Sequence, residues 1–221
     1  MKNKKLIIYG VGKFADFVCY SFMNDSAYTV VAQCVEGDYL SKTNAIAHEF
    51  PLVNFDVLEN NYDPSEYDLF ITAGNDEIRD RIYKEAKQKG YSLANYISTN
   101  AVCSKNLKLG DNVFIGEATF IQPYVEIEDN TFIIGARIGH HSKIGKNSLL
   151  SACLLGAEVT VGDNSFLGLN STIKPKTKIG MKNIIGMNCN ITSNTEDKSV
   201  FSQPGTKKRV LSYDDLKGRY L

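Results

Sequence analysis

The sequence lacks most of what would draw a chain to a polyanion or a bilayer. Its 221 residues carry 25 Lys+Arg against 25 Asp+Glu, a formal net charge of zero. No global basic excess is available for nucleic acid or an anionic membrane, so any anion site must be local. No uninterrupted apolar stretch approaches the ~20 residues of a membrane span. The basic start Met1-Lys2-Asn3-Lys4-Lys5 is like the first region of a signal peptide, but the apolar run behind it breaks at Gly10 and Gly12, too soon for a signal core. Five cysteines, an odd number, stand far apart without paired spacing, which argues against a disulfide framework and a zinc site. The expectation is a reduced, cytoplasmic protein. A hydrophobic content of 43% is ordinary for a folded chain, and the length suits one large domain or two small ones.

The pattern changes near residue 100. Before it, apolar runs alternate with helical spacing, the signature of strand–helix–strand units. Lys5–Tyr9 reads as a buried strand followed by Gly10-Val11-Gly12, with Phe14, Val18 and Phe22 recurring at helical spacing. Tyr28–Val35 reads as a second strand ending at Glu36-Gly37-Asp38, and Leu69–Ala73 as a third ending at Gly74-Asn75. Glu77–Lys89 then forms an amphipathic helix closed by Gly90.

After residue 100 an aliphatic residue returns every six positions: Leu109, Ile115, Ile121, Ile127, Ile133, Ile138, Ile144, Leu150, Leu155, Val161, Leu167, Ile173, Ile179, Ile185 and Ile191. Two steps, into Ile138 and Leu155, are five residues long. A glycine follows many of these positions, and a small or β-branched residue such as Ser142, Ser148 or Ser165 stands two before most of them. A six-residue period fits neither an α-helix nor a hairpin meander. It fits a parallel β-helix of triangular coils with three hexapeptides per coil, five coils of about 4.8 Å each.

These hexapeptide runs resemble the left-handed β-helix acyltransferases. Together with the opening Leu6-Ile7-Ile8-Tyr9-Gly10-Val11-Gly12, the strand Val30–Asp38, Gly74-Asn75 with Arg79, and Ile138-Gly139-His140-His141-Ser142-Lys143-Ile144-Gly145, the chain is similar to a narrower group. That group holds the sialic acid O-acetyltransferases and the nucleotide-amino-sugar N-acetyltransferases of bacterial surface-glycan pathways, such as those of lipopolysaccharide O-antigen. The resemblance implies an α/β, Rossmann-like N-terminal unit followed by an all-β left-handed parallel β-helix. It divides the chain into a nucleotide-sugar-binding domain (1–97), an acyltransferase β-helix (98–203) and a C-terminal tail (204–221). It further implies a homotrimer with acetyl-CoA between neighbouring β-helices, and transfer of the acetyl group to the amine of a nucleotide-linked amino-deoxy sugar. Transfer to a sugar hydroxyl, or a non-enzymatic β-helix module, are the alternatives.

The adjacent His140 and His141 leave the wall behind Gly139 and are expected to project outward. Acyl transfer from a thioester needs a base for the proton of the attacking group, and histidine titrates near neutral pH. The resemblance puts the catalytic histidine at His140, with an orienting acid next to it; here His141 takes that place. Glu117 and Glu158 are candidates to supply the missing acid. Adjacent residues on a turn are expected to point apart, and with no third histidine in the repeat no metal is expected. Backbone N–H groups at Gly156 or Ala157 would face the developing oxyanion. Lys174 and Lys176 are candidates for the phosphates of CoA, as are Lys207-Lys208-Arg209 in the tail. Gly10, Gly12 and Lys13 form a glycine-rich turn that could meet a diphosphate at a helix N-terminus. With Glu36, Gly74 and Asn75 they make up the expected acceptor pocket; NAD binding is the second reading of this unit. Cys153 and Cys189 occupy small-residue slots and read as packing residues.

Overall fold

The computed structural model describes residues 4–43, 50–211 and 213–216; Met1 to Asn3 lie outside the described residues. Strands β1 (Lys4–Tyr9), β2 (Tyr28–Val35), β3 (Leu52–Asn54), β4 (Tyr67–Ile71) and β5 (Ser92–Leu93) form one sheet in the order β3-β2-β1-β4-β5, every pair parallel. Helix α1 (Lys13–Asn24) follows β1 and buries Ala15, Val18, Cys19 and Phe22, the stripe that a 3.6-residue period lays on one face. After β2 comes α2 (Gly37–Thr43), and β4 leads to α3 (Asp76–Gln88). The side chain of Asn75 accepts the Ile78 N–H at 2.9 Å and so caps α3.

The third strand expected from the sequence starts two residues earlier and stops at Ile71. At its end the Tyr9 carbonyl accepts from both the backbone N–H and the hydroxyl of Thr72, at 2.9 and 2.6 Å. Strand β3, α2 and a 3₁₀ turn over Phe55–Asn60 carry no clear period and were not foreshadowed. The chain winds to one side of β1 through β2 and β3, then to the other through β4 and β5. The loops after β1 and β4 therefore open side by side at the carboxyl ends of their strands, where open parallel sheets leave a crevice.

The second half is a parallel β-helix whose two- or three-residue strands stack into three walls. We name them by what they face. The docking wall contains Phe114–Ile115, Phe132–Ile134, Leu149–Ser151, Phe166–Leu167 and Ile184–Ile185. The groove wall contains Phe120–Ile121, Arg137–Ile138, Leu154–Leu155, Thr172–Ile173 and Asn190–Ile191. The polar wall contains Lys108–Leu109, Glu126–Ile127, Lys143–Ile144, Thr160–Val161 and Lys178–Ile179. Fourteen of the fifteen aliphatic positions are buried and stack along the axis; Leu109 in the first coil is half-buried. Extra rungs cap the stack: Tyr96–Ile97 and Val200–Phe201 on the docking wall and Val102–Cys103 on the groove wall.

The two five-residue steps fall at one corner. Between docking and groove walls, Gly135-Ala136 and Ala152-Cys153 replace the four-residue turns that other coils use, such as 168–171. The chain turns there through positive φ at Gly135 (65°) and Ala152 (41°), and the preceding strands extend to Ile134 and Ser151.

The docking wall packs against the α/β unit. Phe132 stacks on Phe70 with ring centroids 5.9 Å apart, Phe114 meets Phe70 edge-on at 6.2 Å, and Phe14 and Phe17 of α1 reach the same wall rings. Such aromatic pairs contribute about 0.5–1.5 kcal/mol each beyond their buried area. A column of left-handed residues along the edge between polar and docking walls, Asn112, Asn130, Asn147, Asn164 and Lys182, reinforces the contact. Asn112 accepts the Ile71 N–H at 2.8 Å, Asn147 donates to Asp80 at 3.3 Å, and Asn164 donates to Asp76 at 2.7 Å. The buried Arg79 ties both halves together: it donates to the carbonyls of Ala73 (2.7 Å) and Gly74 (3.3 Å) on one side and Asn130 (3.2 Å) and Asn147 (2.8 Å) on the other. Burial pulls its guanidinium down to about 10, against the opposing fields of Asp76 and Asp80.

Candidate active site

A cavity of about 610 Å³ lies where the crevice of the α/β sheet meets the docking wall. Its rim is Gly10, Gly12, Lys13, Thr72 and Gly74; its floor is Phe132, Ile134, Leu149, Ser151 and Phe166, and Arg79 borders it. Gly10 sits at φ 125°, and a Cβ there would run into the Thr72 hydroxyl, so the rim requires glycine at this point. No side chain caps α1, whose N-cap is Gly12, so its first N–H groups remain available beside Lys13.

The expected acceptor-pocket residues divide into two sets. Gly10, Gly12, Lys13 and Gly74 border the cavity. Glu36 and Asn75 are not among its lining residues. Glu36 is held by both guanidinium nitrogens of Arg81, at 2.8 and 3.0 Å, and by the Tyr9 hydroxyl at 3.0 Å. Those hydrogen bonds, Arg81 foremost, lower its carboxyl below the usual range. Asn75 is engaged as the cap of α3. Sequence reasoning missed the apolar floor, because Phe132, Leu149 and Phe166 look like outward positions of ordinary coils. The five-residue steps beside them were the available signal.

His140 and His141 stand on the edge between groove and polar walls, which is the edge opposite the docking wall. The chain therefore holds its cavity and its histidine pair on opposite sides of the prism. The expectation that the two rings point apart is corrected: Nδ1 of His140 lies 3.0 Å from Nδ1 of His141, with the ring planes at 89°. The His140 N–H donates to Oε1 of Gln122 at 2.9 Å, and the His141 ring lies over Tyr124 at 4.6 Å. His141 adopts φ 58°, like Tyr124, Glu158 and Lys176 in the coils below and above it.

Beside this edge the groove wall forms a hollow of about 350 Å³ lined by Phe120, Gln122, Arg137, Leu154 and the turn residues Gly139, Gly156 and Ala157. Turns stack so closely here that a Cβ on Gly139 would lie 2.5 Å from the Ala157 nitrogen. Of the two expected oxyanion donors, Gly156 is corrected: its N–H is spent on the Ile173 carbonyl at 2.9 Å in the coil ladder. The Ala157 N–H has no acceptor among the described residues. Glu117 is corrected as an orienting acid, because it sits on the edge between docking and groove walls beside Phe17 and Tyr20. Glu158 occupies the His141 position one coil up; its backbone N–H donates to the His140 carbonyl at 2.8 Å, and its carboxylate is 3.9 Å from Lys176. Lys174 and Lys176 are exposed one coil above Gly156 and Glu158. Cys153 and Cys189 are buried in the β-helix core, and burial raises the Cys153 thiol to about 12. Among the described residues no group of three or more His, Cys, Asp and Glu is placed to hold a metal ion, and no helix is long and apolar enough to cross a membrane.

Residues 158–193 match the profile described as the hexapeptide repeat of succinyl-transferase. Among solved structures, PerB from Caulobacter crescentus in complex with CoA and GDP-perosamine superposes with a TM-score of 0.79 at 26% identity, covering 89% of this chain and 92% of that one. The acetyltransferase domain of PglB from Neisseria gonorrhoeae FA1090 gives a TM-score of 0.79 at 20% identity over 90% and 96% of the two chains. A curated relative, the bifunctional protein GlmU of Clostridium beijerinckii, is 23% identical over 175 residues; the match takes in 67% of this chain and 38% of that protein. The chain thus spans well under half of that relative. The repeat and these superpositions define a left-handed β-helix. Over most of its length the chain shares its fold with PerB and with the PglB acetyltransferase domain.

Proposed function

We propose that the chain is an acetyl-CoA-dependent N-acetyltransferase acting on the amine of a nucleotide-linked amino-deoxy sugar for a bacterial surface glycan such as O-antigen. The observation that carries this reading is the histidine pair beside the glycine-floored hollow, on a fold shared along most of its length with a structure holding CoA and GDP-perosamine. His140 takes the proton of the attacking amine, and His141 completes the pair. The donor's thioester lies in the hollow with its carbonyl oxygen toward the Ala157 N–H. Its phosphates extend toward Lys174 and Lys176, two coils or about 10 Å above the histidines. Residues 1–97 serve as a Rossmann-like acceptor domain, with the diphosphate over Gly12 and Lys13 and the uncapped start of α1. The β-helix spans 98–203, and the tail, 204–221, follows.

The opposed positions of cavity and histidines support a homotrimer in which each reaction centre joins the His140 edge of one copy to the acceptor cavity of the next. A cytoplasmic setting suits the free thiols and the nucleotide-sugar substrate. The test is incubation with acetyl-CoA and a panel of GDP-, UDP- and dTDP-linked amino sugars and their hydroxyl counterparts. Thiol release together with one added acetyl group on the amino sugar is expected. Acetylation confined to a hydroxyl acceptor, or no transfer by a trimeric preparation, would overturn the reading.

A further inference from the structure

The two histidine Nδ1 atoms are 3.0 Å apart, so one must carry the proton of that hydrogen bond and the other must accept it. We propose that His140 donates and His141 accepts, so that a neutral imidazole, braced on the ring of Tyr124, does the orienting work of a carboxylate. This inference rests on the acetyl-transfer reading. One observation sets the direction, and two others show how the pair is held. His140 follows Gly139, which lines the hollow, and Ala157, its counterpart one coil up, lines it too; Tyr124 and Glu158, the counterparts of His141, do not. His140 is thus the ring nearer the donor site, and it can act as a base only if its Nε2 is unprotonated, which leaves its proton on Nδ1. The His141 ring is backed by Tyr124 at 4.6 Å with planes 32° apart, a support that holds the ring in place against His140. The His140 backbone is held in turn by the Gln122 side chain.

The proton and electron count closes. The amine nitrogen attacks the thioester carbonyl and forms the C–N bond while its proton passes to Nε2 of His140. The resulting imidazolium keeps its Nδ1–H in the hydrogen bond to His141. Collapse of the tetrahedral intermediate breaks the C–S bond, and the Nε2 proton passes to the departing sulfur, giving amide and free CoA thiol. Charge develops on a histidine whose partner is neutral, so the pair works without an ion pair. His141 and Tyr124 are positioning residues in this scheme, and the other ionisable groups in the turns of the same edge include Lys105, Glu158, Lys174 and Lys176.

The experiment pairs nitrogen NMR of histidine-labelled full-length protein above the histidine titration with kinetics of variants. In the wild type His140 should be the Nδ1–H tautomer and His141 the Nε2–H tautomer. In His141→Leu, His140 should revert to the Nε2–H form that a free imidazole prefers. The same variant should lose about 10- to 100-fold in kcat, the weight of a hydrogen bond to a charged group, with the KM for acetyl-CoA unchanged. His141→Asp should recover most of that loss. Tyr124→Ala should fall between the wild type and His141→Leu. The opposite tautomer assignment, or wild-type kcat in His141→Leu, would overturn the inference. An inactive wild type showing the expected tautomers would overturn the proposed activity and leave the hydrogen-bond direction standing.

Discussion

Two edges of the same prism carry the left-handed turns differently. Where the α/β unit docks, the positive-φ column reads Asn112, Asn130, Asn147, Asn164 and then Lys182; where the histidines stand, it reads Tyr124, His141, Glu158 and Lys176. A left-handed conformation costs about 1–2 kcal/mol for most L-residues, and asparagine is among the few exceptions. At the docking edge the low-strain residue also supplies the hydrogen bonds that hold the other half of the molecule. At the histidine edge the chain accepts unfavourable conformers and gains no docking from them. Local strain without a packing return is what a functional edge looks like.

The sharpest way to break this comparison is His140→Ala. Loss of a positioned general base costs on the order of 10²–10⁴-fold, so kcat should fall by at least about 10², while trimer formation and acetyl-CoA affinity persist. Steady-state kinetics with a binding isotherm for CoA reads both; retained kcat would make the edge a solvated turn. At the docking edge, Asn112→Ala should cost about 2–4 kcal/mol. It deletes buried hydrogen bonds to Ile71 and Asn130 and puts alanine at φ 56°. Urea titration reads the loss, and an unchanged midpoint would mean that the asparagine column does not hold the halves together.

A third test concerns the other end of the interface. Asp25 accepts from Tyr96, Ser98 and both the N–H and hydroxyl of Thr99, and these hydrogen bonds, Thr99 first, lower its carboxyl to about 2 from 3.8. A depressed carboxyl adds stability that is complete above the unfolded value and lost as pH falls toward the folded one. Asp25→Asn should therefore lower Tm by a few degrees at neutral pH, a gap that narrows between about pH 4 and pH 2. The smallest effect is expected of Glu158→Asn. It relieves one strained turn and removes an exposed, 3.9 Å ion pair of little weight, so stability should rise by about 0.5–1 kcal/mol. A fall in stability would mean that the strain at this edge is not real.

The β-helix was legible because every coil repeats the same demand: an inward aliphatic residue that must meet its counterpart one rung away. Even there the end rungs escaped, since Cys103 and Phe201 stand where the pattern asks for Ile, Leu or Val. In the α/β unit strand β2 was read to the residue, whereas β3 and α2 were not seen, because their places are set by packing against β2 and by no period of their own. At the site, spacing located His140 and His141 but could not reveal that their rings meet, which depends on side-chain rotamers. Glu36 was read as a ligand contact because it ends a strand, and only three dimensions bring Arg81 onto it.

The contacts of the docking-edge column with the α/β unit run from Asn112, against Ile71, to Lys182, whose amine lies 3.6 Å from Glu77. On the docking wall, Ile184 in the rung that follows Lys182 and Val200 in the rung above it are both exposed. Length above this point is a free parameter of the protein. A whole coil of about eighteen residues could be duplicated or excised after Ile185 without disturbing the cavity, the histidine edge or their mutual registry, because each rung answers only to its neighbours. An insertion of a single hexapeptide would carry every later residue onto a different wall. Related chains can thus differ in height by whole steps, and the coil is the unit in which such a protein can be lengthened, by natural duplication or by design.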